Sequence, residues 1–241
     1  MGKMIEITAS DGHVFDAFVA EPAVSPVAGL VLIHEIAGVN DYVKRMAYKW
    51  ATEGYRVVCP ALFDRVRRGH AVSYQPEGLA AGRKIAYGLD REKAVSDVAD
   101  AMKAAELADV EAALGAAGPG PVGVVGYCFG GSMTWLAATR INPPPAACVS
   151  YYGRWVSEYR NETPNCPIIL HFGEEDPFIP IEDVHLFRRA QPDLQTYIYR
   201  KVGHGFSCDE RDDWFDRDAD ALAFDRSRSF FRQYLGQSKD A

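Results

Sequence analysis

The chain has 241 residues, 48% hydrophobic and 24% charged, with a net charge of -7. That length and composition can bury a large core and exclude both a disordered and a collagen-like chain. The acidic balance argues against a nucleic-acid partner, which needs a basic surface, and leaves small molecules as the expected partners.

The N-terminal MGKMIEITASDGHVF carries no apolar signal segment, and no run approaches the roughly 18 apolar residues that a membrane span requires. Met4 to Thr8 and Val14 to Ala20 alternate with period two around Ser10-Asp11-Gly12, which predicts an N-terminal hairpin. After the joint Pro22 to Pro26, the unbroken apolar run Ala28 to Ile33 reads as a strand covered on both faces. Runs of this kind recur at Tyr55 to Cys59, Val122 to Val125, Ala146 to Tyr151, Pro167 to Phe172 and Leu194 to Tyr199. Helical periodicity lies between them, at about Tyr42 to Glu53, Ser132 to Arg140, Glu182 to Ala190 and Ala219 to Leu235. The clearest helix begins after Asp90 and carries Val95, Val98, Ala99, Met102, Val110 and Leu114, until Gly118-Pro119-Gly120 stops it. Trp214-Phe215 and Phe224, Phe230 and Phe231 read as the apolar face of the last helix. Between Asp64 and Gly88, the basic residues Arg65, Arg67 and Arg68, four glycines and a proline interrupt any period. Strands alternating with helices predict a single α/β domain over residues 1–241, with a mostly parallel sheet of about eight strands between helix layers. In such a sheet the loops after strand ends form the site.

The most informative segment is Val122 to Met133, a buried strand running through Gly126-Tyr127-Cys128-Phe129-Gly130 into a helix. This is the nucleophile-elbow pattern with cysteine in place of serine, in which flanking glycines let strand and helix approach closely while the central side chain stands above the sheet. A helix start there supplies N–H groups that stabilise a thiolate and an oxyanion. A second strand ends in the acidic turn Glu174-Glu175-Asp176-Pro177, whose carboxylate can orient an imidazole. Asp176, stiffened by Pro177, is the preferred residue, with Glu174 and Glu175 as competitors. His204, between Gly203 and Gly205 beyond the last strand, supplies the imidazole. Nucleophile, acid and histidine in that chain order are the α/β-hydrolase arrangement.

On these motifs the chain resembles the dienelactone hydrolases, the carboxymethylenebutenolidase group of the α/β-hydrolase superfamily, over nearly its whole length. The cysteine elbow is what separates that family from the serine esterases. The resemblance implies the α/β-hydrolase fold, a Cys128-His204-Asp176 triad, and hydrolysis of a lactone or activated ester. It extends to His34-Glu35-Ile36-Ala37-Gly38-Val39, and implies that Glu35 pairs with the resting thiol and takes part in its activation. It further implies an oxyanion hole from the N–H groups of Ile36 and Phe129. The family holds a substrate carboxylate with two arginines; Arg83, with Tyr87 one turn on, is the nominee for the first. The second position is Cys208 here, and Arg211 is the near substitute, although Asp209, Glu210, Asp212 and Asp213 offer it surface ion pairs instead. Ala37 replaces the aromatic residue that usually follows Glu-Ile, which implies extra room beside the oxyanion hole.

No metal is expected, because His34-Glu35 is not HExxH and the acidic stretch Asp209 to Asp220 lacks the glycine and closing glutamate of a calcium loop. No organic cofactor is expected either, since triad hydrolysis is self-contained. Five cysteines, odd in number and without a CxxC pair, predict reduced thiols in a cytoplasmic monomer or small homo-oligomer. Two rival readings stay open: a broad carboxylesterase or thioesterase without an anion requirement, favoured by Cys208 and Ala37, and a non-catalytic binding module on a hydrolase fold.

Overall fold

The computed structural model describes residues 2–107 and 120–236. Eight strands form one sheet: β1 (Lys3–Thr8), β2 (Val14–Ala20), β3 (Ala28–Ile33), β4 (Tyr55–Pro60), β5 (Val122–Tyr127), β6 (Ala147–Tyr151), β7 (Ile168–Gly173) and β8 (Gln195–Tyr199). Their spatial order is β1-β2-β4-β3-β5-β6-β7-β8. The predicted hairpin pairs antiparallel and joins β4 antiparallel, while β3 to β8 are all parallel. Every residue of β3, β5, β6 and β7 is buried, as expected of strands covered on both faces.

The covering helices are α1 (Asp41–Ala51), α2 (Pro76–Gly88), α3 (Arg91–Ala105), α4 (Phe129–Arg140), α5 (Ile181–Ala190) and α6 (Arg217–Leu235). On one face Trp50 of α1 packs on Phe224 and Phe231 of α6. On the other, α3 packs on α4, whose Trp135 meets Phe187 of α5 edge-on. Asp90 caps α3 through the N–H groups of Glu92 and Lys93, and Asp216 caps α6 through that of Ala219. The Val110 and Leu114 part of the predicted helix lies outside the described residues. Among the described residues no helix is long and apolar enough to cross a membrane.

The stretch without readable period holds a 3-10 turn (Leu62–Arg65) and α2. Pro76 opens α2 at a position where its missing N–H costs nothing. Gly82 interrupts the apolar pattern because a side chain there would strike the carbonyl of Ile36, so α2 lies directly on the loop after β3. Two basic residues of this stretch are structural: Arg65 forks onto buried Asp97 of α3 at 2.5 and 2.6 Å and also reaches Asp11, and Arg68 bridges Glu6 and Asp16.

Candidate active site

At the junction of β5 and α4, Cys128 is held at φ 56°, ψ -112°, a conformation that L residues rarely adopt. The turn is this tight because Gly126 and Gly130 leave no room for side chains: a Cβ on the first would strike the carbonyl of Gly130, and one on the second that of Ile33. The Cys128 N–H is tied to the Tyr151 carbonyl at 3.0 Å, and its thiol stands on the floor of a cleft of about 320 Å³. That volume suits a small-molecule site.

His204 follows β8 and turns its ring back over the strand ends. Its Nε2 lies 3.1 Å from the Cys128 Sγ and its Nδ1 2.7 Å from Asp176 Oδ2. The Asp176 carboxylate is in turn fixed by the N–H groups of Phe178 and Ile179, which donate to Oδ1 at 2.8 and 3.1 Å. Of the competing acids, Glu174 accepts from the Lys201 N–H and Glu175 is exposed, so only Asp176 meets the imidazole. Tyr152, Phe178 and Trp214 all stand edge-on to the His204 ring and exclude water from it. Burial alone would depress this imidazole. Its neighbours Cys128 and the hydrogen-bonded Asp176 carboxylate outweigh it and raise the pKa to about 10. A thiol, an imidazole and a carboxylate so aligned can move a proton from sulfur to nitrogen and keep the resulting cation balanced.

Glu35 lies beside this row but is not joined to it. Its buried carboxylate accepts from the hydroxyls of Tyr74 at 2.7 Å and Tyr152 at 3.2 Å, whereas a glutamate bonded to the thiol was the expectation. Two phenols outcompete a weak thiol donor, and the thiol faces His204 instead. Burial pushes the Glu35 carboxyl up, against the opposing pull of Tyr74, His204, Arg211 and Tyr152. Ile36 and Phe129 both line the cleft. As first residue of α4, Phe129 has an N–H with no intrahelical acceptor.

The nominated substrate contacts divide. Arg83, Tyr87 and Arg211 line the cleft, but Ala37 and Cys208 do not. Ala37 is fully buried, with its carbonyl bonded to the Val72 N–H, so its small size adds no room to the cleft. Cys208 is buried behind Tyr74 and Glu35, where lost solvation pushes its thiol far up. Arg211 avoids the surface ion pairs open to it because Arg45 takes Asp209 and Glu210; its guanidinium lies 3.2 Å from the Trp214 ring centre. Trp214 and Phe215 both precede α6, which starts at Arg217, and Trp214 faces the cleft rather than the sheet. The other members of the predicted aromatic face behave differently from one another: Phe231 is fully buried against Trp50 and Tyr55, while Phe224 and Phe230 are half-buried. Sequence reasoning missed Tyr74, Tyr152, Arg154 and Trp155. The last three directly follow β6, where a strand end already marks a site loop.

The sheet order, the strained elbow after β5 and the site at the strand ends define a hydrolase of the α/β-hydrolase class, acting on carboxylic ester or lactone bonds. Residues 15–235 match the Dienelactone hydrolase family, and the chain belongs to that family. It is 33% identical over 212 residues to a carboxymethylenebutenolidase of Pseudomonas putida, covering 84% of this chain and 85% of that protein. Among solved structures, a dienelactone hydrolase-like promiscuous phosphotriesterase from metagenomic libraries shares the fold with a TM-score of 0.72 at 19% identity, over 98% of this chain and 99% of that one. A Pyrococcus furiosus esterase does so with a TM-score of 0.66 at 14% identity, over 98% and 93%.

Proposed function

We propose that the protein is a cysteine-dependent hydrolase that opens a dienelactone to maleylacetate. The observation that carries this reading is the thiol–imidazole–carboxylate row, 3.1 and 2.7 Å apart, at the floor of the cleft. The name carboxymethylenebutenolidase, borne by a relative that aligns with most of the chain, supports the substrate.

In this mechanism the Cys128 sulfur attacks the lactone carbonyl and its proton passes to the Glu35 carboxylate. The carbonyl oxygen becomes an oxyanion held by the N–H groups of Ile36 and Phe129. Collapse breaks the ring C–O bond, leaving a thioester whose tethered leaving group is an enolate. Water then attacks the thioester, giving up its proton to His204 or to that enolate, and the C–S bond breaks to return the thiolate. Asp176 holds the His204 tautomer and balances its charge. Glu35, a carboxylate held by the Tyr74 and Tyr152 hydroxyls and made more basic by burial, is the thiol's proton acceptor once substrate displaces it from them. All five cysteines are unpaired, which supports a reducing, cytoplasmic setting.

A second reading is a broad carboxylesterase or thioesterase, favoured by the apolar walls that Ile36, Leu79, Phe129, Trp155 and Phe178 give the cleft. Steady-state turnover of a dienelactone and of 4-nitrophenyl acetate by wild type and Cys128→Ala separates the two. Preference for the lactone, abolished in the variant, is the expected outcome. Turnover of the neutral ester alone favours the esterase, and undiminished turnover in the variant removes the cysteine mechanism.

A further inference from the structure

The cleft is not symmetric about a single cation. Pro76, Leu79, Arg83, Ala86 and Tyr87 line it from one face of α2, at steps of three, four, three and one residues. The helix therefore runs along the cleft, and from Pro76 to Tyr87 it spans about 16 Å.

Cationic side chains mark both ends of that span. At the α2 N-terminus, Tyr74 has the Arg211 guanidinium 5.9 Å from its ring centre. At the C-terminus, Tyr87 has the Arg154 guanidinium 5.7 Å from its ring centre, and Arg83 lies one turn back on the same helix face. The nucleophile stands between the two ends. His204, bonded to Cys128, packs on Trp214 beneath Arg211; Phe129, next in sequence to Cys128, packs on Trp155, which meets Tyr87. Among the described residues none of the three guanidiniums has a carboxylate within 4.0 Å, whereas Arg45, Arg65, Arg68 and Arg140 are all ion-paired. In a chain of net charge -7 these three are placed toward a cavity where a lone carboxylate, Glu35, is already engaged by two phenols.

One carboxylate group is a few ångströms across and cannot span a helix of this length. We propose that Arg154, with Arg83, forms a second anion subsite at the far end of the cleft, so that the best substrates are elongated lactones or esters with an acidic group at each end. The inference rests on the hydrolase reading for what happens between the two ends, and a mono-acidic dienelactone engages one of them. Arg154 acts here on specificity: an exposed guanidinium at the rim of a mostly apolar cleft, with no carboxylate partner among the described residues, gives charge-assisted, bidentate recognition of a carboxylate.

The test is calorimetric binding of suberate and of octanoate, which have equal chain length and differ by one carboxylate, to wild type, Arg154→Ala, Arg211→Ala and Arg189→Ala. Arg189 is exposed on α5, does not line the cleft, and controls for net charge. The ratio of suberate to octanoate affinity is expected to fall at least tenfold in Arg154→Ala and in Arg211→Ala, and to hold in Arg189→Ala. A change under twofold in Arg154→Ala, an equal change in Arg189→Ala, or no suberate binding by wild type overturns the subsite. The readout needs no turnover: if the ratio behaves as expected while wild type hydrolyses no ester, the second subsite stands and the hydrolase mechanism falls.

Discussion

Two imidazoles, His171 and His204, lie buried within one segment of the chain, and their surroundings drive them in opposite directions. His204 sits between a carboxylate and a thiol at the cleft, and its pKa is raised to about 10. His171 stands on β7 between hydroxyls, with Tyr199 2.9 Å from Nδ1 and Ser227 3.0 Å from Nε2, and burial, aided by the charge of Arg226, pushes it down to about 3. Ser227 also meets the Tyr151 hydroxyl, so the His171 group ties β6, β7, β8 and α6 together. Burial is common to both rings. A charged partner is what separates a ring held as a cation for chemistry from a ring kept neutral for architecture.

Asp176→Asn should narrow that difference and have the largest effect. It leaves the geometry but not the charge, so kcat/KM should fall by about 10³- to 10⁴-fold. The His204 pKa should fall below about 10 while Cys128 still holds it up, which imidazole NMR would report. An unchanged pKa would show that Cys128 alone raises it and that Asp176 does not contribute. His171→Phe probes the opposite side: it removes one partner each from Tyr199, which keeps Arg226, and Ser227, which keeps Tyr151 and the Ala223 carbonyl, so each lost hydrogen bond should cost about 0.5–1.5 kcal/mol. Urea denaturation measures that loss, and kcat/KM should stay within about threefold.

The pH dependence of unfolding sharpens the contrast. His171, at about 3, and His34, at about 4, are neutral when folded. Unfolding exposes rings that bind protons below about 6.5, so this stability is present above that pH and is lost as pH falls toward about 4 for His34 and about 3 for His171. His204 contributes in the other sense. Its stabilisation is complete below about 6.5 and is lost as pH rises toward 10. Thermal scans should therefore fall away on both sides, and Asp176→Asn should flatten the alkaline side. Tyr74→Phe should have the smallest effect: with one donor gone the Glu35 carboxyl rises further, moving the acid limb of kcat/KM to higher pH with at most a roughly tenfold loss. An unmoved limb would remove Glu35 from the proton transfers.

The strands were legible because each is a short apolar run with one structural outcome, and the elbow was legible because two glycines flank a lone cysteine between a strand and a helix. Asp176 stood out from Glu174 and Glu175 only by its proline, and the structure adds the reason, two N–H groups aimed at its carboxylate. The helix α2 was hidden because Gly82 answers to the loop beneath it rather than to helix propensity. Trp214 was misplaced on the last helix because the Asp216 cap, which starts that helix after it, looks like one more acid in an acidic run. Arg154 carried no motif at all, and its position after β6 was the only local cue.

The central claim is that Cys128 forms a covalent acyl intermediate with the substrate carbonyl. Rapid quenching of wild type with a slowly deacylating 4-nitrophenyl ester, followed by intact-mass and peptide-level mass spectrometry, tests it directly. One acyl group on the peptide carrying Cys128, absent from Cys128→Ala, is the expected result; an adduct on another residue, or ester turnover that persists in the variant, would contradict it.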